Sequence, residues 1–274
     1  MMNINCNGNL IDLSTPKVMG ILNVTPNSFY DGGKHKEINS IIHQVDKMLS
    51  EGADFIDIGA YSSKPSAEFV SEEEEIKRLV PIVKSLVETF PNIILSVDTF
   101  RAQVAKASVE HGVAMVNDIA AGLLDDKMLE TVAELKVPYI MMHMRGNPQT
   151  MQSLTDYNDI VKEMIFYFSE RIQKARSFGI SDIVIDPGFG FAKTLEQNYE
   201  VLHKMELFSM LELPLLAGIS RKSMIYKVLE SSPQEALNGT SVLNTIALQN
   251  GAKILRVHDV KEAVECIKLV SKLK

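Results

Sequence analysis

Residues 54–98 decide the fold, and they read DFIDIGAYSSKPSAEFVSEEEEIKRLVPIVKSLVETFPNIILSVD. The stretch begins with a short apolar run, DFIDIG (54–59), and ends with a second, IILSVD (93–98). Both runs have the length of a strand and are apolar on both faces, which is typical of parallel strands covered by helices. Between them, apolar residues recur with a period of 3.6, which predicts a helix on the stripe Ile76, Leu79, Val80, Val83, Leu86 and Val87.

The start of this helix is encoded in the segment SEEEE (71–75). Ser71 can cap the helix, Glu74 follows three residues later, and the acidic side chains face the positive end of the helix dipole. Pro81 lies inside the apolar stripe and can bend the helix, but we do not divide the helix on that residue alone.

The same strand–helix rhythm continues through the rest of the chain. Six further apolar runs are VMGILN (18–23), VAMVND (113–118), VPYIMMH (137–143), DIVIDPG (182–188), LPLLAGIS (213–220) and KILRVH (253–258). A second helical stripe runs over 160–172, with Gly179 as the residue that ends its helix, and a last stripe runs over 260–273. Eight units without a linker predict a single-domain α/β fold over 1–274, a (β/α)8 TIM barrel. The alternative is an open doubly wound sheet, but no GxGxxG motif follows the first run.

Composition argues against several classes of partner. The chain has 274 residues, 46% of them hydrophobic, and a net charge of −7 without a basic stripe, so we expect no nucleic-acid partner. The apolar runs are too short to cross a bilayer, and the first residues have no signal-peptide pattern, so we expect no membrane association. Cys6 and Cys266 fit neither a metal site nor a disulfide framework, which favours a cytoplasmic protein.

Polar residues stand where the apolar runs end. In a barrel of this kind function lies at the carboxyl ends of the strands. Each residue has a structural explanation by itself: Asp98 can cap the next helix, His143 can be a hydrogen-bonded core residue, and Arg256 can be an interior cation paired with an acid. Their convergence on one rim would be costly without a ligand. The residues are Asn23, Asp98, Asn117, Asp118, His143, Asp186, Ser220, Arg221, Lys222, Arg256 and His258.

These residue types favour a flat polar ligand and an anion. Asp and Asn side chains offer acceptors and donors suited to the edge of a heterocycle. Arg256 and His258 precede the last helix, whose first backbone N–H groups and dipole complete an anion site. A hard cation such as magnesium could be held by Asn23 and phosphate oxygens, because magnesium needs few protein ligands. Neither a nucleophile–base–acid triad nor a zinc spacing is visible in the sequence.

Eight segments in order carry a resemblance to one family. They are GILNVTPNSFYDGG (20–33), DIGAYSSKP (57–65), SVDT (96–99), VND (116–118), MHMRGNPQTMQ (142–152), DPGFGFAKT (186–194), GISRKS (218–223) and ILRVHDV (254–260). The chain resembles the dihydropteroate synthases over essentially its whole length. The resemblance implies that 6-hydroxymethyl-7,8-dihydropterin pyrophosphate reacts with p-aminobenzoate to give dihydropteroate and pyrophosphate, a step of folate synthesis.

The resemblance also implies residue roles. Asp98, Asn117, Asp186 and Lys222 would hold the pterin, while Arg256, His258 and Asn23 would hold the pyrophosphate and Mg²⁺. Phe191, Ser220 and Lys222 would border the aminobenzoate, and two mobile loops at about 25–36 and 61–70 would close over the reactants. No single base is expected, because the electrostatic set Asp98, Lys222, Arg256 and His258 together with positioning supplies the rate.

Oligomeric state follows from the resemblance only in outline. The family commonly forms homodimers through helices near the carboxyl end of the barrel. The segment ALNGTSVLNTIALQNGA (236–252) is apolar over much of its circumference, which agrees with a homodimer. A helix covered within its own chain explains the pattern equally well.

The chain departs from the family in the segment DIGAYSSKPSA (57–67), where relatives more usually read GGESTRPGA. Ser63 keeps the hydroxyl of the usual threonine, so its role beside the aminobenzoate or the leaving group is retained. Lys64 keeps the charge of the usual arginine but loses its planar fork of donors, and Ser66 reduces backbone freedom. We expect Lys64 to act as a point charge toward substrate or pyrophosphate.

Three alternative functions remain open on the sequence. A methyltetrahydrofolate methyltransferase would share the pterin edge but would not need the pair Arg256 and His258. A Schiff-base aldolase would use Lys222, although this lysine follows its strand and does not lie within it. A non-catalytic paralogue would bind pterin alone, and the intact anion-site residues argue against it.

Overall fold

The eight apolar runs form eight parallel strands that close into a barrel. The computed structural model describes residues 2–24, 34–61 and 70–273. Its strands are β1 Asn3–Cys6, β2 Asn9–Asp12, β3 Lys17–Asn23, β4 Phe55–Gly59, β5 Leu95–Asp98, β6 Met115–Asp118, β7 Tyr139–Met142, β8 Ile183–Asp186, β9 Leu215–Ala217 and β10 Ala252–Val257. The barrel order is β10-β3-β4-β5-β6-β7-β8-β9, and β10 pairs in parallel with β3 to close it. The predicted single-domain (β/α)8 barrel is confirmed.

Helices surround the barrel and connect its strands. They are α1 Lys34–Ser50, α2 Glu72–Thr89, α3 Ala102–Val109, α4 Met128–Leu135, α5 Ile160–Ser177, α6 Leu195–His203, α7 Ser223–Tyr226, α8 Leu237–Gln249 and α9 Val260–Val270. Within the described residues, none of the helices combines the length and the apolar character that crossing a membrane requires.

Local predictions for α2 and α5 are confirmed. The Ser71 hydroxyl accepts a hydrogen bond from the Glu74 backbone N–H at 3.2 Å, and α2 continues unbroken through Pro81. α5 is followed by Gly179 in the left-handed region, at a φ of +93°, which glycine adopts without steric cost.

The two loops predicted at 25–36 and 61–70 lie almost wholly outside the described residues, as do Ser63, Lys64 and Ser66. The one difference in bounds is at the first loop. α1 begins at Lys34, so the last three residues predicted for that loop belong to a helix.

A hairpin that was not predicted from the sequence closes the end of the barrel at which the strands begin, which we call the lower end. β1 and β2 pair antiparallel around Asn7 and Gly8. Its apolar side chains join the lower layer of the barrel interior and form a plug. The plug consists of Ile4, Cys6, Leu13, Met19, Phe55, Ala114, Met115, Ile140, Val184, Leu216 and Ile254.

The period of two along a strand places polar residues directly above this plug. Side chains two positions apart on a strand point to the same face, so the residue two places after each plug residue also faces the interior. The rule brings a polar side chain inward on four strands, at Asp57, Asn117, Asp186 and Arg256. The apolar plug therefore forms the floor of a polar pocket at the carboxyl ends of the strands.

Candidate active site

An arginine with two carboxylates forms the centre of the polar layer. Arg256 on β10 donates from Nε to Asp57 Oδ2 at 2.6 Å and from Nη2 to Asp98 Oδ2 at 2.7 Å. Asn117 on β6 donates from Nδ2 to the same Asp57 oxygen at 2.9 Å. One hydrogen-bonded cluster thus joins β4, β5, β6 and β10. Arg256 is therefore an interior cation paired with acids, as one of the two sequence interpretations predicted. The cluster also includes Asp98 and Asn117, two of the residues predicted for the site.

Burial controls the charges of this cluster. It raises the pKa of Asp98 to about 7, and the neighbouring Asp57 carboxylate adds to the rise, although the Arg256 guanidinium opposes it. The two carboxylates in turn raise the pKa of Arg256 above its ordinary value, in spite of its burial. One cation shared by two acids leaves Asp98 incompletely compensated. Asp98 is therefore an acceptor that a ligand carrying N–H donors or positive charge would stabilise.

The next part of the site is the segment Gly188–Phe191, which we call the GFGF loop. Asp186, at the end of β8, accepts a hydrogen bond from the Gly188 N–H at 2.8 Å. Lys222 donates to the Phe189 carbonyl oxygen at 2.5 Å, and its Nζ lies 4.9 Å from the centre of the Phe191 ring. Burial raises the pKa of Asp186 and lowers that of Lys222 to about 8, while their opposite charges moderate both shifts.

A second buried lysine supports the GFGF loop from behind. Lys193 Nζ lies 3.1 Å from His143 Nδ1, 3.0 Å from the Gly188 carbonyl oxygen and 3.0 Å from that of Phe191. Three N–H groups thus meet three acceptors, as an ammonium requires. Burial lowers the pKa of Lys193 to about 7, and burial with the Lys193 charge keeps His143 neutral by lowering its pKa well below the usual value. His143 is the hydrogen-bonded core residue that the sequence reading favoured.

The anion side of the site lies where β9 and β10 end. The Ser220 hydroxyl accepts from the His258 backbone N–H at 3.1 Å and lies 3.0 Å from His258 Nδ1. Burial and the nearby Arg256 charge lower the pKa of His258. A neutral imidazole that accepts the Ser220 hydroxyl proton at Nδ1 carries its own proton on Nε2. Asp259, the N-cap of α9, pairs with both Arg221 Nε and Nη2, at 2.8 and 2.7 Å.

Asn23 fits a role as a magnesium ligand. It lies exposed at the end of β3, and its side chain makes no hydrogen bond to another described residue. No group of three or more His, Cys, Asp or Glu side chains is placed to hold a metal within 2–24, 34–61 and 70–273. A magnesium ion that takes most of its ligands from water and phosphate needs only such a free oxygen from the protein.

Asp57 and Lys193 were missed by the sequence reading. Asp57 had a visible signal, since it is a lone acid inside the apolar run FIDIG, where a strand buried on both faces has no place for an unpaired charge. Lys193 had none, since a lysine just before the capping residue Thr194 ordinarily lies in solvent. Only the folded GFGF loop shows that it is buried.

Comparison with known proteins places the chain in a family. The model of the family described as "Pterin binding enzyme" matches residues 19–258. This range contains β4 to β10 and all of β3 except its first two residues, and it leaves out the hairpin strands β1 and β2. The chain belongs to the pterin-binding enzymes.

Several relatives of this pterin-binding enzyme are named dihydropteroate synthase. The dihydropteroate synthase of Escherichia coli strain K12 is 43% identical over 271 residues, covering 98% of this chain and 95% of that protein. The crystal structure of Yersinia pestis dihydropteroate synthase with a sulfonamide drug is 42% identical, with a TM-score of 0.92 and 99% of each chain covered. The Xanthomonas albilineans enzyme, solved with 4-aminobenzoic acid, is 37% identical, with a TM-score of 0.90 and 99% and 97% covered.

The structure brings most of the predicted site residues of this pterin-binding enzyme to one end of the barrel. Two pairs are in direct contact, Asp98 with Arg256 and Ser220 with His258, and Asn117 is linked to Arg256 through Asp57. Lys222 is in contact with Phe191, and its charge is coupled to Asp186. Asn23 stands apart at the rim, and Ser63 and Lys64 lie outside the described residues.

Proposed function

We propose that this pterin-binding enzyme is a dihydropteroate synthase, which joins 6-hydroxymethyl-7,8-dihydropterin pyrophosphate to p-aminobenzoate and releases pyrophosphate. The observation that carries the proposal is the polar layer above the plug. It places buried acceptors and a cation beside an anion site at one barrel mouth. The identity of the substrates is inferred from the dihydropteroate synthases that resemble this chain over almost its full length.

The pterin would bind along the buried acids. Asp98, Asn117 and Asp186 present acceptors to the ring N–H and amino donors, while Lys222 donates to a ring acceptor. A planar ligand that satisfies these groups removes the cost of leaving them buried without partners. The stabilisation is therefore specific to a heterocycle with donors and acceptors along one edge.

The pyrophosphate would leave through the anion side. His258 offers Nε2–H, Arg256 offers Nη1, and the first turn of α9 adds backbone N–H groups and the positive end of its dipole. Asn23 would hold Mg²⁺, which when bound supplies positive charge to the phosphate oxygens. These donors stabilise the negative charge that develops on the leaving group, and this is how they would lower the barrier.

The amine would attack from the side bordered by the GFGF loop. Phe191, Ser220 and Lys222 frame this side, with the Phe191 ring held over Lys222 Nζ. The aniline nitrogen is neutral and nucleophilic, so no described residue has to activate it as a base. The proton that it loses after the C–N bond forms passes to the departing pyrophosphate or to water. The pterin methylene takes up positive charge as its C–O bond breaks, and the buried Asp98 carboxylate would stabilise it. A sulfonamide, such as the drug in the Yersinia pestis complex, would compete for the aminobenzoate site.

The decisive experiment measures pyrophosphate release with the pterin pyrophosphate, with and without p-aminobenzoate. A dihydropteroate synthase releases pyrophosphate at the rate at which dihydropteroate forms, and only when both substrates are present. Asp98→Asn should lower kcat/KM by about 100-fold or more, which corresponds to about 3 kcal/mol of lost transition-state stabilisation.

Two outcomes would overturn the proposal. Pterin binding without any release of pyrophosphate would indicate a non-catalytic paralogue. Methyl transfer from methyltetrahydrofolate, with no reaction of p-aminobenzoate, would indicate a methyltransferase of the same family.

We also propose a cytoplasmic homodimer. The two cysteines are free and buried, which favours a reducing compartment. α8 buries one face within the chain, as the covered-helix reading predicted, and leaves Val242 exposed. Leu269 on α9, which packs against α8, is also exposed, and we propose that a second copy of the chain covers both side chains.

A further inference from the structure

Asp57 has the burial of a core residue and the contacts of a site residue. It lies in the middle of β4 with 0% of its surface exposed. Its Oδ2 accepts from Arg256 Nε at 2.6 Å and from Asn117 Nδ2 at 2.9 Å. β10 lies two strands from β4 on one side and β6 two strands away on the other. One oxygen therefore links opposite parts of the polar layer.

The Asp57 carboxylate determines which end of the Asn117 amide faces it. An ionised carboxylate can only accept hydrogen bonds, so the Asn117 amide must turn its NH₂ group to Asp57. The amide oxygen Oδ1 is then left to accept a hydrogen bond from a ligand. An asparagine without this neighbour could present either group.

The same oxygen restricts Arg256. Its Nε is held by Asp57 and its Nη2 by Asp98, and in the described part of the chain no residue accepts from Nη1. A planar guanidinium held at two corners has a fixed plane and a fixed direction for its remaining donors. The second Asp57 oxygen, Oδ1, is buried and has no hydrogen-bond partner within the described residues, so Asp57 acts through Oδ2.

We propose that Asp57 is a positioning residue that sets which hydrogen-bonding groups Asn117 and Arg256 offer to the substrate. Asp57 itself touches no substrate. The proposal deepens the proposed function, on which it rests, and it makes the pterin subsite selective for a ring edge that donates to Asn117. The buried Oδ1 without a partner is costly to stability, which agrees with a residue kept for the geometry of the site.

The rival explanation is that Asp57 only stabilises the barrel by compensating Arg256. Glu75 provides a matched control, because it is also 0% exposed and also pairs with an arginine, Arg101 Nη1, at 2.6 Å. Asp57→Asn and Glu75→Gln each remove one buried carboxylate charge from such a pair. Neither Asn117 nor Arg256 contacts Glu75 by a hydrogen bond in the described structure.

The test compares these two variants with the double variant Asp57→Asn/Asn117→Asp. The double variant restores a carboxylate–amide hydrogen bond with the donor and acceptor exchanged, and it keeps an acceptor at position 117. Binding of 6-hydroxymethylpterin, which lacks the pyrophosphate, is measured by calorimetry. kcat and KM are measured for both substrates, and urea unfolding monitors stability.

Asp57→Asn should weaken the binding of 6-hydroxymethylpterin by about 10-fold or more. An amide at position 57 loses the charge-assisted hydrogen bond to Arg256, and since an amide can both donate and accept, it no longer determines which group Asn117 turns to the ligand. The double variant should recover pterin binding to within about threefold, but not kcat/KM for the pterin pyrophosphate, because Arg256 Nε still lacks its carboxylate. Glu75→Gln should lower stability and leave pterin binding within about twofold. A folded Asp57→Asn variant that binds pterin as the wild type does would overturn the proposal, as would a double variant no better than the single one.

A readout without substrate separates this proposal from the proposed function. The Asn117 side-chain NH₂, followed by NMR, should exchange slowly in the wild type and quickly in Asp57→Asn. Fast exchange in the wild type would refute the positioning role even if the enzyme is a dihydropteroate synthase. Slow exchange together with no turnover would refute the proposed function alone.

Discussion

Lys222 loses its proton at a lower pH than an ordinary lysine does. Burial lowers the pKa of Lys222 to about 8, although the nearby Asp186 carboxylate opposes the shift. The protonated lysine donates to the Phe189 carbonyl oxygen and would donate to the pterin. We therefore expect kcat/KM for the pterin pyrophosphate to fall as pH rises through about 8. The measurement is a pH profile at saturating p-aminobenzoate.

Stability should change in the opposite direction over the same range. An unfolded lysine titrates near 10.4, so between about pH 8 and pH 10 the unfolded chain binds more protons than the folded one. The free energy of unfolding therefore rises with pH while activity falls. Lys222→Arg, whose guanidinium does not titrate here, should lose the alkaline fall at a lower maximal rate. An unchanged fall in that variant would contradict the assignment and point to Lys193.

Single residues show where sequence reasoning succeeds in this site. Asp98, Asn117 and Asp186 could be predicted because each ends an apolar run, and parallel strands bring such ends to one edge. The partners of Arg256 could not be predicted, because Asp57 is separated from it by 199 residues and several acids were available. Lys193 was out of reach because its burial depends on the backbone of the GFGF loop, where Gly188 and Gly190 have positive φ.

The hairpin β1–β2 is the element that most clearly separates stability from function. Ile4 is 2% exposed and packs in the plug, beneath the polar layer. Ile4→Ala should lower the free energy of unfolding by about 2–4 kcal/mol through lost burial and a cavity. kcat/KM should remain within about twofold, because residues at this end of such barrels serve stability. Urea unfolding and steady-state kinetics measure the two effects.

The control for this prediction lies on the same hairpin. Leu10 is 69% exposed, so Leu10→Ala should change the free energy of unfolding by less than about 0.5 kcal/mol. Equal losses for the two variants would show that the plug does not depend on the hairpin. A loss of activity in Ile4→Ala at a temperature where it is folded would show that the two ends of the barrel are coupled.

The hairpin also shows a signal that was present in the sequence and not used. Asn7 and Gly8 have φ of 51° and 84°, and Asn-Gly between short alternating runs is a strong hairpin signal. Strands of four residues with polar ends carry little periodicity, so the longer run at 18–23 is the first strand that the sequence predicts. α2 was predictable in detail, because its cap, its acidic first turn and its stripe all indicate the same helix.

At the scale of the whole molecule, the barrel has a polar mouth and an apolar floor, and apolar side chains are exposed on its outer helices. We call those of the neighbouring helices α8 and α9 the α8–α9 patch. Val242 on α8 is 51% exposed and Leu269 on α9 is 72% exposed, and α8 packs against α9. A twofold axis near this patch would bring it against its own copy, and a stable contact of this kind buries on the order of 800 Å² from each partner. The site residues lie at the carboxyl ends of the strands, away from this patch.

These positions lead to a prediction for the assembly. The wild type should have twice the 30.5 kDa mass of one chain by light scattering at micromolar concentration. Val242→Glu/Leu269→Glu should be monomeric, because a dimer would bury four carboxylates without partners. Since each site is built within one barrel, kcat should stay within about threefold. Phe166→Glu, on α5 at 66% exposure, is the matched control and should remain dimeric. A monomeric wild type would contradict the homodimer, and a dimeric double variant would place the interface on another face.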